Sequence, residues 1–82
     1  MHRIRITQSA ERDMVEIQSE TERREIDELV LSLEDNPFPD GVIRLDASDS
    51  FALKCGKYYL TYIEIADDLI ICSVENRPTF RV

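Results

Sequence analysis

The sequence predicts an α+β domain of order β-α-α-β-β-β(β), a helical hairpin packed on one face of a small, mainly antiparallel twisted sheet. Three observations carry that expectation. Residues 3–7 alternate between apolar and polar side chains. Residues 10–33 place their apolar side chains at helical spacing. Residues 51–74 return to strand-like runs broken by short turns.

The elements follow in order. In Arg3-Ile4-Arg5-Ile6-Thr7, the two isoleucines point one way and the polar residues the other, which is a strand with one buried face. Ser9 is the expected N-cap of the first helix. Ala10, Met14 and Ile17 fall at i, i+4 and i+7 and form its apolar face. Ser19 and Glu22 fit a capping box that starts a second helix. Ile26, Leu29, Val30 and Leu33 give that helix the clearest stripe in the chain, and it is expected to stop at Asn36, since Pro37 disfavours helical geometry in the residue before it. Pro37-Phe38-Pro39-Asp40-Gly41 has turn chemistry. Val42-Ile43-Arg44-Leu45 reads as a short extended segment, and Asp46-Ala47-Ser48-Asp49-Ser50 as a polar connection. Phe51, Leu53 and Cys55 alternate with Ala52 and Lys54, so Lys54 shares a face with Ala52. Gly56-Lys57 makes a hairpin turn, and residues 58–65 are aromatic and β-branched. After a turn at Ala66-Asp67-Asp68, residues 69–74 are nearly all apolar and are expected to form a central strand covered on both faces. The tight turns make the later strands antiparallel, and the first strand joins the same sheet.

A chain of 82 residues is expected to be one domain, spanning 1–82. It has room for one core and none for a deep, enclosed cofactor pocket. No cofactor is expected. The lone histidine, His2, offers no imidazole cluster for a metal, and no serine or cysteine has an internal histidine to activate it. Cys55 and Cys72 follow no metal-ligand spacing and read as buried free thiols. The apolar run at 69–72 is far short of the ~20 residues that cross a bilayer, and Met1-His2-Arg3 leads straight into the alternating pattern; the expected compartment is the cytoplasm, with no membrane partner. The net charge of −7 is uneven: +2 over residues 1–10, −8 over 11–40 and −1 over 41–82. The acidity therefore belongs to the helices, where Glu16, Glu20, Glu22, Glu25, Asp27 and Glu28 read as a solvated face. The whole-molecule field still opposes approach to nucleic acid.

Three motifs together resemble the RelE/ParE toxin superfamily. The first is Leu33-Glu34-Asp35-Asn36-Pro37-Phe38-Pro39-Asp40-Gly41-Val42-Ile43-Arg44-Leu45, behind a strand and two helices. The second is Phe51-Ala52-Leu53-Lys54-Cys55-Gly56-Lys57-Tyr58-Tyr59-Leu60-Thr61-Tyr62, and the third is Arg77 shortly after the last strand. The resemblance spans essentially the whole chain and implies the toxin component of a type II toxin–antitoxin pair. In the RNA-cleaving branch it implies metal-independent cleavage of messenger RNA on the ribosome, with the 2′-hydroxyl attacking the adjacent phosphate. Several cations must then surround one phosphate, and a further group moves protons.

Carried over position by position, the resemblance puts catalytic roles on Lys54 and Arg77. It also finds Ala52 and Tyr59 where that branch carries cations, and Phe80 where it carries a tyrosine. Arg44, Lys57, Tyr58, Tyr59 and Arg81 are the remaining candidates for contacting RNA or a protein partner. Each also fits a plain role: solvated charge for the cations, sheet and core packing for the tyrosines, Tyr62 included. Three functions stay open at this point: a ribosome-dependent ribonuclease with a weakened basic site, a non-nucleolytic toxin that binds a protein target such as a DNA topoisomerase, and a non-toxic interaction module with the toxin fold. The first two imply an antitoxin protein as partner, and the first also the ribosome and its messenger. The oligomeric state is not legible.

Overall fold

The computed structural model describes residues 2–45 and 49–76. Its elements are β1 (Arg3–Ile6), α1 (Gln8–Val15), α2 (Glu20–Ser32), β2 (Ile43–Arg44), β3 (Ser50–Cys55), β4 (Tyr58–Ile65) and β5 (Asp68–Glu75). The strands form one sheet of order β1-β5-β4-β3-β2. The pair β1–β5 is parallel and the other three are antiparallel. The first strand thus takes an edge, beside the last strand in sequence.

Both helices pack on one face. Ala10 of α1, Ile26 and Val30 of α2, and Leu33 just beyond it are buried against Leu53, Leu60, Tyr62, Leu69, Ile71 and Val74. Burying a Leu or Ile side chain contributes roughly 1.5–3 kcal/mol, so this one apolar layer is the main stabilising feature. Ser19 caps α2 as its capping-box position predicts, its hydroxyl accepting from the Glu22 N–H at 3.2 Å.

Three expectations are corrected. The N-cap of α1 is Thr7, not Ser9: the Thr7 hydroxyl accepts from the Ala10 N–H at 3.1 Å and also donates to the Ile71 carbonyl at 3.0 Å. One side chain closes the strand and opens the helix, which a residue two positions further on cannot do. Helix α2 ends at Ser32 rather than Asn36. Residues 33–35 form a turn in which the Asp35 and Asn36 N–H groups both reach the Ser32 carbonyl, so the chain unwinds before Pro37 forces it to. Finally, β5 is covered on one face only. Leu69, Ile71 and Val74 lie under the helices, while Ile70, Cys72 and Ser73 are only partly covered.

The reason is a β-bulge. Thr61 pairs with Ser73 and Tyr62 with Ile71, leaving Cys72 unopposed. Strict alternation would send Ile71 and Val74 to opposite faces; the extra residue returns both to the core. Asp13 of α1 sits beside this irregularity and accepts from the Val74 N–H at 3.0 Å.

Candidate functional site: the open face of the sheet

The face of the sheet away from the helices is set by register. Lys54 lies opposite Tyr59, and Tyr59 opposite Glu75, so these three form one row across β3, β4 and β5. The next row holds Ala52, Thr61 and Ser73, with the Thr61 and Ser73 hydroxyls hydrogen-bonded to each other. Beyond it come Ser50, Ile63, Ile70 and Arg5, then Ile65, Asp68 and Arg3.

The sequence-predicted residues separate into groups. Lys54 and Tyr59 are brought together on this face, Lys54 exposed and Tyr59 half-buried. Tyr58 is on the opposite face, packed against the core. Lys57, in the hairpin turn, places its ammonium 3.8 Å from Glu22 and 5.6 Å from the Tyr58 ring centroid, so it serves the α2 side. Arg44 lies at the far edge of the helix side, 3.8 Å from Asp49, beside Phe38 and Phe51. Arg77, Arg81 and Phe80 lie outside the described residues. Tyr62 is fully buried. Its hydroxyl donates to the Pro37 carbonyl at 2.7 Å and its ring stacks on Phe51, with centroids 5.6 Å apart.

The chemistry of this face is limited. The Lys54 row holds one cation and one carboxylate. Ala52, where the RNA-cleaving pattern has a cation, is completely covered, so a long side chain there would have to displace its neighbours. A depression of about 180 Å3 lies beside it, lined by Leu45, Ser50, Thr61, Ile63, Cys72 and Ser73. It offers hydroxyls and apolar surface. Burial pushes the Cys72 thiol up from its ordinary pKa, and the Cys55 thiol is pushed up by burial and by the Glu25 carboxylate. Neither is an activated thiolate at neutral pH. Among the described residues, no group of three or more His, Cys, Asp or Glu side chains is placed to hold a metal ion, and no helix is long and apolar enough to cross a membrane.

No protein-family model matches the sequence, and no curated protein does. Solved structures match along nearly the whole chain. A chain of the intact RelBE toxin–antitoxin complex of E. coli superposes with a TM-score of 0.80 at 15% identity, covering 95% of this chain and 99% of that one. The RelBE2 toxin–antitoxin complex of Mycobacterium tuberculosis gives 0.77 at 21% identity, over 93% and 98%. This chain has the RelE/ParE toxin fold. The YoeB dimer of Staphylococcus aureus agrees, with a TM-score of 0.72 at 16% identity over 94% and 98%. Since one fold hosts many activities, the RelE/ParE fold frames the site but does not assign its chemistry.

Two features of the open face were not singled out from the sequence. Glu75 completes the Lys54 row, and Asp68 gathers Arg3 and Arg5. Strand alternation places Arg3 and Arg5 on one face. Only the parallel pairing of β1 with β5 shows that this face also holds Asp68.

Proposed function

We propose that this protein is the toxin component of a toxin–antitoxin pair and that it arrests an essential process by binding its target, not by cutting messenger RNA. The fold supports the first half. The Lys54–Tyr59–Glu75 row supports the second. In-line attack of a 2′-hydroxyl builds negative charge on the phosphoryl oxygens, and stabilising it takes several preorganised cations at one point. On the described open face Lys54 has the Glu75 carboxylate two strands away in the same row, where it would repel a phosphate. Lys57 and Arg44 are directed elsewhere by Glu22 and Asp49. In this reading the protein works in the cytoplasm, and an antitoxin neutralises it by covering the surface that meets the target.

The test is induction of the gene alone and together with a neighbouring short reading frame. The expected result is growth arrest with intact messengers, relieved by co-expression. Messenger cleavage that Lys54→Ala abolishes would replace binding by nucleolysis. Normal growth on induction would leave the non-toxic interaction module in its place.

A further inference from the structure

We propose that Arg3, Arg5 and Asp68, with Ile63, Ile65 and Ile70 beside them, form a docking site for an acidic, apolar segment of a partner protein. Three observations carry it. First, the two arginines are held in place. Asp68 is mostly buried and accepts from the Arg3 Nε at 2.8 Å, with an Arg5 guanidinium nitrogen at 3.5 Å from its second oxygen. Both guanidinium side chains nevertheless remain 81% and 70% exposed. Arg3 meets Asp68 through Nε, and its largely exposed guanidinium stays accessible to a partner. A guanidinium offers five donors in a planar fork, and a fixed one loses less freedom when it meets a carboxylate.

Second, the register puts an apolar strip alongside. Arg3, Asp68 and Ile65 form one row and Arg5, Ile70 and Ile63 the next. Ile65 is 55% exposed, and Ile63 and Ile70 are half-buried. Adjacent strands lie about 4.8 Å apart, so the three isoleucines sit within reach of one segment whose carboxylates meet the arginines.

Third, the composition selects the class of partner. Arginine beside apolar surface is the make-up of a protein interface. A nucleic acid would be served by aromatic rings for its bases, and the apolar side chains of this patch are isoleucines. The patch is also basic on a molecule of net charge −7, so an acidic segment is guided to it by local contrast. The site stands whether or not the protein arrests growth, because nothing in it depends on toxicity.

The test is an NMR titration of the full isotope-labelled chain with an extended peptide of alternating glutamate and valine. Parallel titrations use the lysine–valine peptide and a short oligouridylate. The expected result is shifts confined to Arg3, Arg5, Ile63, Ile65, Ile70 and their neighbours for the glutamate peptide, with weaker binding of the other two. Arg3→Gln with Arg5→Gln should weaken binding by about tenfold or more, the scale of one lost charge-assisted contact. That pair of changes leaves Asp68 buried without a partner, so Arg3→Gln/Arg5→Gln/Asp68→Asn is measured as well and should fold yet still fail to bind. Ile65→Ser, at an exposed position, should weaken binding without affecting folding. Asp68→Asn alone separates anchoring from plain charge. The proposal expects weaker binding because the arginines come loose, whereas simple removal of a negative charge would strengthen it. No binding of the glutamate peptide, equal binding of the lysine peptide, tighter binding of oligouridylate, or shifts elsewhere would each overturn the proposal.

Discussion

Replacing Tyr62 by Phe isolates a single bond that holds the loop after α2 to the sheet. The Tyr62 ring is fully buried and stacks on Phe51, which in turn contacts Phe38 at a centroid distance of 4.8 Å. Phenylalanine keeps this packing and removes only the hydroxyl, which donates to the Pro37 carbonyl at 2.7 Å. A net hydrogen bond contributes about 0.5–1.5 kcal/mol, and a carbonyl left without its donor adds a desolvation cost. The expected loss is therefore about 1–2 kcal/mol. In a domain of this size each kcal/mol moves the melting temperature by roughly 4–8 °C. Urea and thermal melts followed by circular dichroism measure it. A loss below about 0.3 kcal/mol would show that the bond does not anchor the loop; a loss above about 4 kcal/mol would show that the ring itself had been displaced.

The same pair of proteins has a pH signature. Burial pushes the Tyr62 hydroxyl up to about 12, against about 10 in an unfolded chain. The raised value means that between these two pH values the unfolded state has released a proton that the folded state retains. The contribution of Tyr62 is therefore complete below pH 10 and is lost as pH rises from there through about 12. Tyr62→Phe has no such loss, so its stability deficit should shrink over that window. A deficit that stays constant from pH 9 to 12 would refute the assignment.

Other expectations can be checked in the same way. Thr7→Ala removes the α1 cap and the bond to the Ile71 carbonyl together, and should cost about 1–2 kcal/mol in denaturant titration, whereas Ser9→Ala should be close to neutral. Ile26→Ala, at a side chain 1% exposed, should cost about 2–5 kcal/mol by the same measurement. Cys55 and Cys72 should react with iodoacetamide at neutral pH more slowly than free cysteine, since burial raises both thiols; faster alkylation of either would contradict their placement.

The features that sequence revealed are those set by local chemistry. The Ile26–Leu33 stripe, the Ser19 cap and the Gly56-Lys57 turn each act over a few residues, and the structure uses them as the pattern dictates. Gly56 takes the turn with φ +61°, a conformation that costs other residues about 1–2 kcal/mol. What was not legible depends on partners distant in sequence. Thr7 looks like a strand residue, and its bond to the distant Ile71 carbonyl ties it to the sheet, while the same hydroxyl caps α1 by accepting from the Ala10 N–H. The bulge opposite Thr61 and Tyr62 decides which β5 side chains reach the core, and no alternation pattern contains it. The candidate site divides the same way. Alternation placed Lys54 on the Ala52 face and parts Tyr58 from Tyr59, as the register shows, but nothing local in the sequence gave a sign that Glu75 joins the Lys54 row.

The central proposal, a toxin-fold protein that acts by binding, is tested most directly by mapping messenger ends in cells after induction without the partner. Growth should stop while messenger ends remain those of uninduced cells, and Lys54→Ala should leave the messengers equally intact. New cleavage ends that appear on induction and disappear in the Lys54→Ala variant would contradict it.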